Sequence, residues 1–365
     1  MPWMHRFIRE FRRGHPRAVV LEEITYPRGD VTLPARIYSP AGARHPLPAW
    51  AVLHGLTRTG RQHRGLDRLA RAFAAAGNVV FVPDIPEWRE LRVAPAMTAC
   101  TIRAAVRALG ERPEALPGHI GLLAFSFGAT QAIVAGADPE LAKSLHGIVA
   151  WGGYADLHAA FRYGLTGTYE FEGRRLSMEP DPYGIWVVAA NYLPLVPGHE
   201  HETALARALH DLAVEVGERG RYAWEPVFDE SKVRLRDMLP ESQRELFAYL
   251  APPSQCRRRD EPRARDLAAR LADAALRGEP ELDPAPFLPR LRVPVLLAHG
   301  RDDRLIPYPE SLRLARLLPR AHLEGCAITG LFAHSGGTRR DLGVFDRALE
   351  GTRFLHLLHR ILKLV

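Results

Sequence analysis

Residues 122–128 read Leu-Leu-Ala-Phe-Ser-Phe-Gly, and the reading of this stretch decides the fold. The run His119-Ile120-Gly121-Leu122-Leu123-Ala124 is apolar and strand-like, and it delivers Ser126 into a turn that Gly128 follows. Ala129-Thr130-Gln131-Ala132-Ile133-Val134-Ala135 then starts a helix. A serine between small residues at a strand-to-helix turn is the nucleophile-elbow pattern. The turn is sharp, so positions 124 and 128, where neighbouring segments press in, must be small. The turn lifts the serine hydroxyl above the sheet edge, and the helix behind it aims N–H groups at developing negative charge. Position 124 holds Ala where the pattern usually has Gly.

Three further segments bear on the same chemistry. Upstream, the short apolar strand Trp50-Ala51-Val52-Leu53 ends in His54-Gly55-Leu56-Thr57. An N–H just past such a strand can supply one oxyanion donor, beside the N–H of the residue after the nucleophile; here the two are Leu56 and Phe127. Downstream, Val293-Pro294-Val295-Leu296-Leu297-Ala298 is the continuous apolar run of a buried parallel strand. It empties into His299-Gly300-Arg301-Asp302-Asp303-Arg304-Leu305-Ile306-Pro307, where a carboxylate is well placed to orient a histidine. Asp303, three after Gly300 and four before Pro307, is the preferred carboxylate, with Asp302 its nearer rival. Last, the strand-like run His322–Ile328 is followed by a Gly-rich loop holding His334, an imidazole of the kind a general base requires.

The chain order Ser…Asp…His, the elbow and the His-Gly strand end together resemble the α/β-hydrolase superfamily, over roughly residues 20–155 and 287–360. The resemblance implies Ser126 as nucleophile, Asp303 as acid and His334 as base, with the Leu56 and Phe127 N–H groups as the oxyanion hole. Ala124 and the doubled Asp302-Asp303 depart from the family pattern. Some members of the superfamily carry the acid after the sixth strand, and Asp156 would fill that place, ranked third.

Strands alternating with helices along the rest of the chain predict an α/β fold with a doubly wound, mostly parallel sheet. Val19–Tyr26 and Val31–Tyr38 read as a hairpin, followed by strands over Pro46–Leu53, Val79–Pro83, His119–Phe125, Ile148–Trp151, Val293–Ala298 and His322–Ile328. Helices are expected over Arg61–Ala76, Ala96–Leu109 and, at the C-terminal end, Leu342–Leu364. The last has a stripe of Phe345, Leu349, Phe354, Leu357, Leu358, Ile361 and Leu362. Residues 154–286 break the rhythm with few strand-like runs, several prolines and helical segments at Trp186–Tyr192, Thr203–Gly217, Ser242–Tyr249 and Arg263–Arg277. The expectation is a hydrolase core of residues 1–153 and 287–365 with a mainly helical cap, 154–286, inserted after the sixth strand. Trp186, Tyr192, Tyr222, Trp224 and Phe228 suit an apolar acyl pocket, although most such residues serve a cap's own core.

Composition narrows the class. The 365 residues are 47% hydrophobic and 25% charged, ordinary values for a globular protein with ample core. The net charge of +7 comes from an even spread of Arg, with Lys only at 143, 232 and 363. A nucleic-acid surface would cluster its charge on one face, so no nucleic-acid partner is expected. Cys100, Cys256 and Cys326 are odd in number and scattered, which gives no disulfide framework. The start of the chain lacks a continuous apolar signal core, and no run reaches the length of a membrane span. A cytoplasmic protein is the default. Its basic amphipathic N-terminal segment is read as packing on its own domain, so membrane contact is not expected. His199-Glu200-His201-Glu202 is neither a His-Glu-x-x-His motif nor a helical His pair, so neither a metal nor a cofactor is called for. The expected activity is a carboxylesterase-like serine hydrolase acting on a small-molecule ester. Peptidase, thioesterase, lactonase and acyltransferase chemistry stay open, as does a catalytically silent scaffold that binds a ligand or partner.

Overall fold

The structure, a computed structural model, describes residues 2–13, 18–256, 258, 260–330 and 344–365. Among the described residues ten strands form: β1 Val19–Arg28, β2 Val31–Pro40, β3 Leu47–Leu53, β4 Val79–Pro83, β5 Ala115–Phe125, β6 Gly147–Trp151, β7 Thr168–Phe171, β8 Arg174–Ser177, β9 Val295–Gly300 and β10 Leu323–Thr329. Eight of them make one sheet in the order β1-β2-β4-β3-β5-β6-β9-β10. The β1/β2 and β2/β4 pairs are antiparallel, and every pair from β4 through β3 to β10 is parallel. The hairpin runs two residues further than its apolar pattern suggested, because Arg28 pairs with Val31 and Gly29-Asp30 alone makes the turn. Gly29 sits at φ 59°, where a residue without Cβ meets no penalty.

The central strands are mostly apolar because both faces are covered. Along β3, Trp50 and Val52 face one layer and Ala51 and Leu53 the other, as the two-residue period of a strand requires. β6 and β9 repeat the pattern, with Ile148 and Val295 on one face and Val149 and Leu296 on the other. Helices Pro95–Gly110, Phe127–Gly136 and Pro309–Leu317 cover the face of Ala51, Leu53, Ile148 and Val295, where Ile102, Ala132 and Leu314 join the core. Helix Arg64–Ala75 covers the opposite face with the helix Val344–Lys363, whose Leu357, Leu358 and Ile361 are buried and Phe354 and Leu362 partly so. Phe345 and Leu349 lie outside the described side chains. The N-terminal helix Pro2–Arg13 packs against this layer: Phe7 is buried edge-on to Phe73, ring centroids 5.6 Å apart, and Trp3 stacks on His359. Its apolar side is thus spent on the protein itself.

Between β6 and β9 the chain builds a separate apolar cluster from helices Leu157–Thr166, Pro182–Tyr192, Thr203–Arg219, Asp229–Asp237, Glu241–Leu250 and Pro262–Gly278. Trp186, Leu209, Phe228, Phe247 and Leu271 are its centre, and the Trp186 indole donates to the Leu250 carbonyl at 3.0 Å. Three elements here were not anticipated. The helix Leu157–Thr166 is announced only by its ends: the Asp156 carboxylate accepts the Ala159 N–H at 3.1 Å, and Gly167 closes it at φ 68°. Asp229–Asp237 is dominated by charged residues and shows little periodicity. The hairpin β7–β8 has strands of four residues turning through Glu172 and Gly173, both with positive φ, a turn that usually signals itself by Asn-Gly. Among the described residues no helix is long and apolar enough to cross a membrane.

Candidate active site

The site is built where β5 ends. Ser126 adopts φ 61° and ψ −136°, a strained conformation for a side chain with a Cβ, which costs of order 1–3 kcal/mol and persists only where the surroundings enforce it. The enforcement is visible on both sides. The Ser126 N–H donates to the Trp151 carbonyl of β6 at 2.8 Å, and the Ser126 carbonyl accepts from Ala129 at 2.8 Å as the helix Phe127–Gly136 begins. Phe127 is the first residue of that helix, so its N–H has no intrahelical acceptor and is free to serve a ligand.

Packing explains the small neighbours. A Cβ at Gly128 would lie 2.7 Å from the Trp88 ring and 3.1 Å from the His54 carbonyl, so any side chain there would displace the elbow. Ala124 lies between Leu53 of β3 and Ala150 of β6, fully buried, and its methyl joins the core, so the departure from Gly is accommodated. Gly55 passes close to the serine: a Cβ there would sit 3.4 Å from Ser126 Cβ and 4.0 Å from Oγ. The next residue, Leu56, lines the same cavity as Ser126 and Phe127.

The loop carrying Leu56 is pinned by His54. This imidazole is buried, edge-on to Trp88, and its Nδ1 lies 2.7 Å from the Gly55 carbonyl. A carbonyl only accepts, so Nδ1 carries the proton. Burial pushes the His54 pKa down to about 4, and the ring is neutral at neutral pH. The unfolded chain, with an ordinary imidazole, binds that proton first. The stability held in neutral His54 is therefore complete above about pH 6.5 and is lost as pH falls toward 4, a loss of about 3 kcal/mol. Denaturant unfolding across this window should show the loss in the wild type, and a His54→Gln protein should show a shallower acid slope by that amount. Equal slopes would mean that His54 is not held neutral.

Asp303 follows β9, two strands along the sheet from the elbow's β5, and lines the same cavity as Ser126. It is 1% exposed, and its carboxylate accepts the N–H groups of Leu305 at 2.8 Å and Ile306 at 3.1 Å. The loop around it is tied to β9 by His299, which sequence reading did not single out. The His299 Nε2–H donates to the Ile306 carbonyl at 2.9 Å, and Nδ1 accepts the Ser311 hydroxyl at 2.7 Å, with Nε2 also 3.5 Å from the Asp303 carboxylate. Both ring nitrogens are committed, Nε2 to the loop and Nδ1 to Ser311 of the helix Pro309–Leu317, so His299 has none to spare for Ser126. A buried histidine at a strand end followed by Gly was the available signal.

The structure brings Ser126, Leu56, Phe127 and Asp303 to one cavity of about 520 Å³. Asp302 is half-buried beside Asp303 and is not part of the lining, and Asp156 is exposed, caps its helix and lines a different, smaller cleft. His334 lies outside the described residues. The cavity wall is mostly apolar, with Trp151, Phe161, Ile185 and Val187 among its residues. Of the aromatic residues singled out in the insertion, Tyr192 and Tyr222 line the cavity. Trp186 and Phe228 are insertion core, while Trp224 stacks on Tyr222 under the Arg304 guanidinium. Among the described residues no group of three or more His, Cys, Asp or Glu is placed to hold a metal ion, His199–Glu202 included.

No protein-family model matches this chain, and no curated protein matches it either. Solved structures do. The acylaminoacyl peptidase of Pyrococcus horikoshii superposes with a TM-score of 0.51 at 13% identity, over 95% of this chain and 42% of its own. A brefeldin A esterase, described as a bacterial homologue of human hormone sensitive lipase, gives 0.49 at 18% identity over 93% of this chain and 76% of its own. Est1E from Butyrivibrio proteoclasticus gives 0.47 at 13% identity over 93% and 98%. This chain spans less than half the length of the peptidase. With the strand order, the two antiparallel leading strands and the elbow after β5, the likeness identifies the α/β-hydrolase fold.

Proposed function

We propose that this protein is a serine hydrolase that cleaves carboxylic esters through an acyl-enzyme. The observation that carries the reading is the strained Ser126 elbow opening into an apolar cavity that Asp303 also lines. His334 takes the Ser126 hydroxyl proton as Oγ attacks the ester carbonyl, and the resulting oxyanion is held by the Leu56 and Phe127 N–H groups. The intermediate collapses, the C–O bond to the alcohol breaks, and the alcohol leaves with the proton from His334. Water then gives a proton to the same imidazole and attacks the acyl-enzyme carbonyl; the bond to Oγ breaks, Ser126 takes the proton back from His334, and the acid is released. Asp303 orients the imidazole and stabilises its charged form. Residues 154–286 act as a cap on a core of 1–153 and 287–365. Their apolar contribution to the cavity favours substrates with an apolar acyl or alcohol group.

Two measurements test this. A fluorophosphonate probe should label the wild type at Ser126, and p-nitrophenyl esters of graded acyl length should give a kcat/KM that climbs with apolar contact and drops once the cavity is full. A folded protein that neither labels nor turns over any ester would be a silent scaffold instead. Turnover confined to peptide or thioester substrates would move the reaction to a sister acyl-transfer class.

A further inference from the structure

The segment Asp181-Pro182-Tyr183-Gly184 opens the helix Pro182–Tyr192 and touches both loops of the candidate site at once. Its own geometry is fixed locally: the Asp181 carboxylate caps the helix by accepting the Tyr183 N–H at 3.0 Å, and Pro182 sits at the first helical position, where its rigid φ suits a helix start. Held this way, the Asp181 N–H donates at 2.8 Å to the carbonyl of Arg304, next to Asp303. Gly184 leaves room for Leu305, since a Cβ there would come within 3.3 Å of its Cδ2. On the other side, the Tyr183 hydroxyl donates to the Leu56 carbonyl at 3.1 Å. Burial pushes the Tyr183 phenol well above its ordinary value, so it stays a donor at every pH relevant to activity.

The same loop is gripped a second time from the insertion. Helix Thr203–Arg219 lays Gly217 on Arg58, where a Cβ would stand 2.9 Å from Arg58 Cγ, and Glu218 pairs with the Arg58 guanidinium at 3.5 Å. Leu56 and Arg58 thus both take contacts from the insertion, and Arg58 also donates to the Arg89 carbonyl at 2.8 Å.

We infer that Tyr183 is a positioning residue whose hydroxyl, bonded to the Leu56 carbonyl, holds the Leu56 N–H in oxyanion-binding geometry and so couples the insertion to the reacting centre; this rests on the serine-hydrolase reading above. An oxyanion donor works only about 2.7–3.1 Å from the place where the charge develops, and a misplacement of about 1 Å can cost 10²-fold in rate. Past the end of β3 at Leu53, His54 holds the Gly55 carbonyl of the peptide that carries the Leu56 N–H, and Tyr183 holds the Leu56 carbonyl of the peptide that follows, so the two bonds fix Leu56 from both sides.

The test is Tyr183→Phe, which removes one oxygen and keeps the ring. Activity is measured with a p-nitrophenyl ester and expressed per active site titrated to completion with fluorophosphonate, so that partial unfolding does not count as lost catalysis. A donor that is loosened rather than deleted should cost less than the 10²–10³-fold of outright removal, about 10- to 100-fold in kcat with KM nearly unchanged. Inhibition by a trifluoromethyl ketone, which forms the tetrahedral oxyanion, should weaken by the same factor. Unchanged kcat and inhibitor affinity in a wild type that labels would overturn this inference alone. A rise in KM at constant kcat would do the same, because it would make Tyr183 a wall of the cavity and nothing more. A wild type that takes no fluorophosphonate would overturn the hydrolase reading and this inference with it.

Discussion

Ser126→Ala is expected to fold with an almost unchanged melting temperature and to lose ester turnover by about 10³-fold or more. The two halves of the expectation have different causes. The elbow is held by backbone groups, the Ser126 N–H on Trp151 and the Ser126 carbonyl under Ala129, and both survive in alanine. Alanine at φ 61° carries the same strain as serine, so the stability difference is small. In the proposed mechanism the hydroxyl carries the chemistry, and only traces of turnover from binding and the oxyanion donors would remain. His334→Ala should be nearly as damaging, and the double variant no worse than either, because nucleophile and base act as a unit. The pH–rate profile should rise through one ionisation near the ordinary histidine value of about 6.5. His54 cannot produce that limb, since burial keeps it neutral down to about pH 4. A folded Ser126→Ala protein with near-native turnover would remove Ser126 from the mechanism.

The centre of the sheet was legible because β4 and β6 are buried on both faces and apolar throughout, and Val79–Pro83 appears in the structure with the bounds read from its sequence. Helix ends shifted by a few residues where capping decides. Helix Arg64–Ala75, for instance, begins later than its apolar pattern suggests because a 3-10 turn over Gly60–Gln62 precedes it. The insertion was harder. Its short hairpin and the charged helix Asp229–Asp237 lack periodicity, and their order comes from tertiary contacts such as Arg313 to the Glu170 carbonyl and Ser231 to Glu215 at 2.8 Å. Within the site, the residues that speak in sequence are those at strand ends followed by Gly. His299 shares that signal, but nothing local tells that its ring ties the loop after β9 and does not face the serine, and Tyr183, reaching 127 residues back, has no local signature at all.

Three substitutions separate the candidate acids, and Asp303→Asn is expected to be the severe one. Asp303 is buried at the cavity wall and preorganised by two N–H donors, Leu305 and Ile306. Asparagine can still accept those bonds through its carbonyl oxygen, so the loop should hold. What it cannot supply is the negative charge that stabilises an imidazolium in the transition state, and in other triads that loss is about 10³–10⁴ in kcat. Asp156→Asn should do little to rate or stability. Its carboxylate caps the helix Leu157–Thr166 from an exposed position, and asparagine caps about as well. Asp302→Asn should also lose far less, because its half-buried side chain stands outside the cavity. Measured kcat values for the three folded proteins decide the matter. If Asp302→Asn or Asp156→Asn is the crippled one while Asp303→Asn keeps its rate, then Asp303 is a loop tie alone, bonded to Leu305 and Ile306 for the sake of the fold, and the acid sits elsewhere.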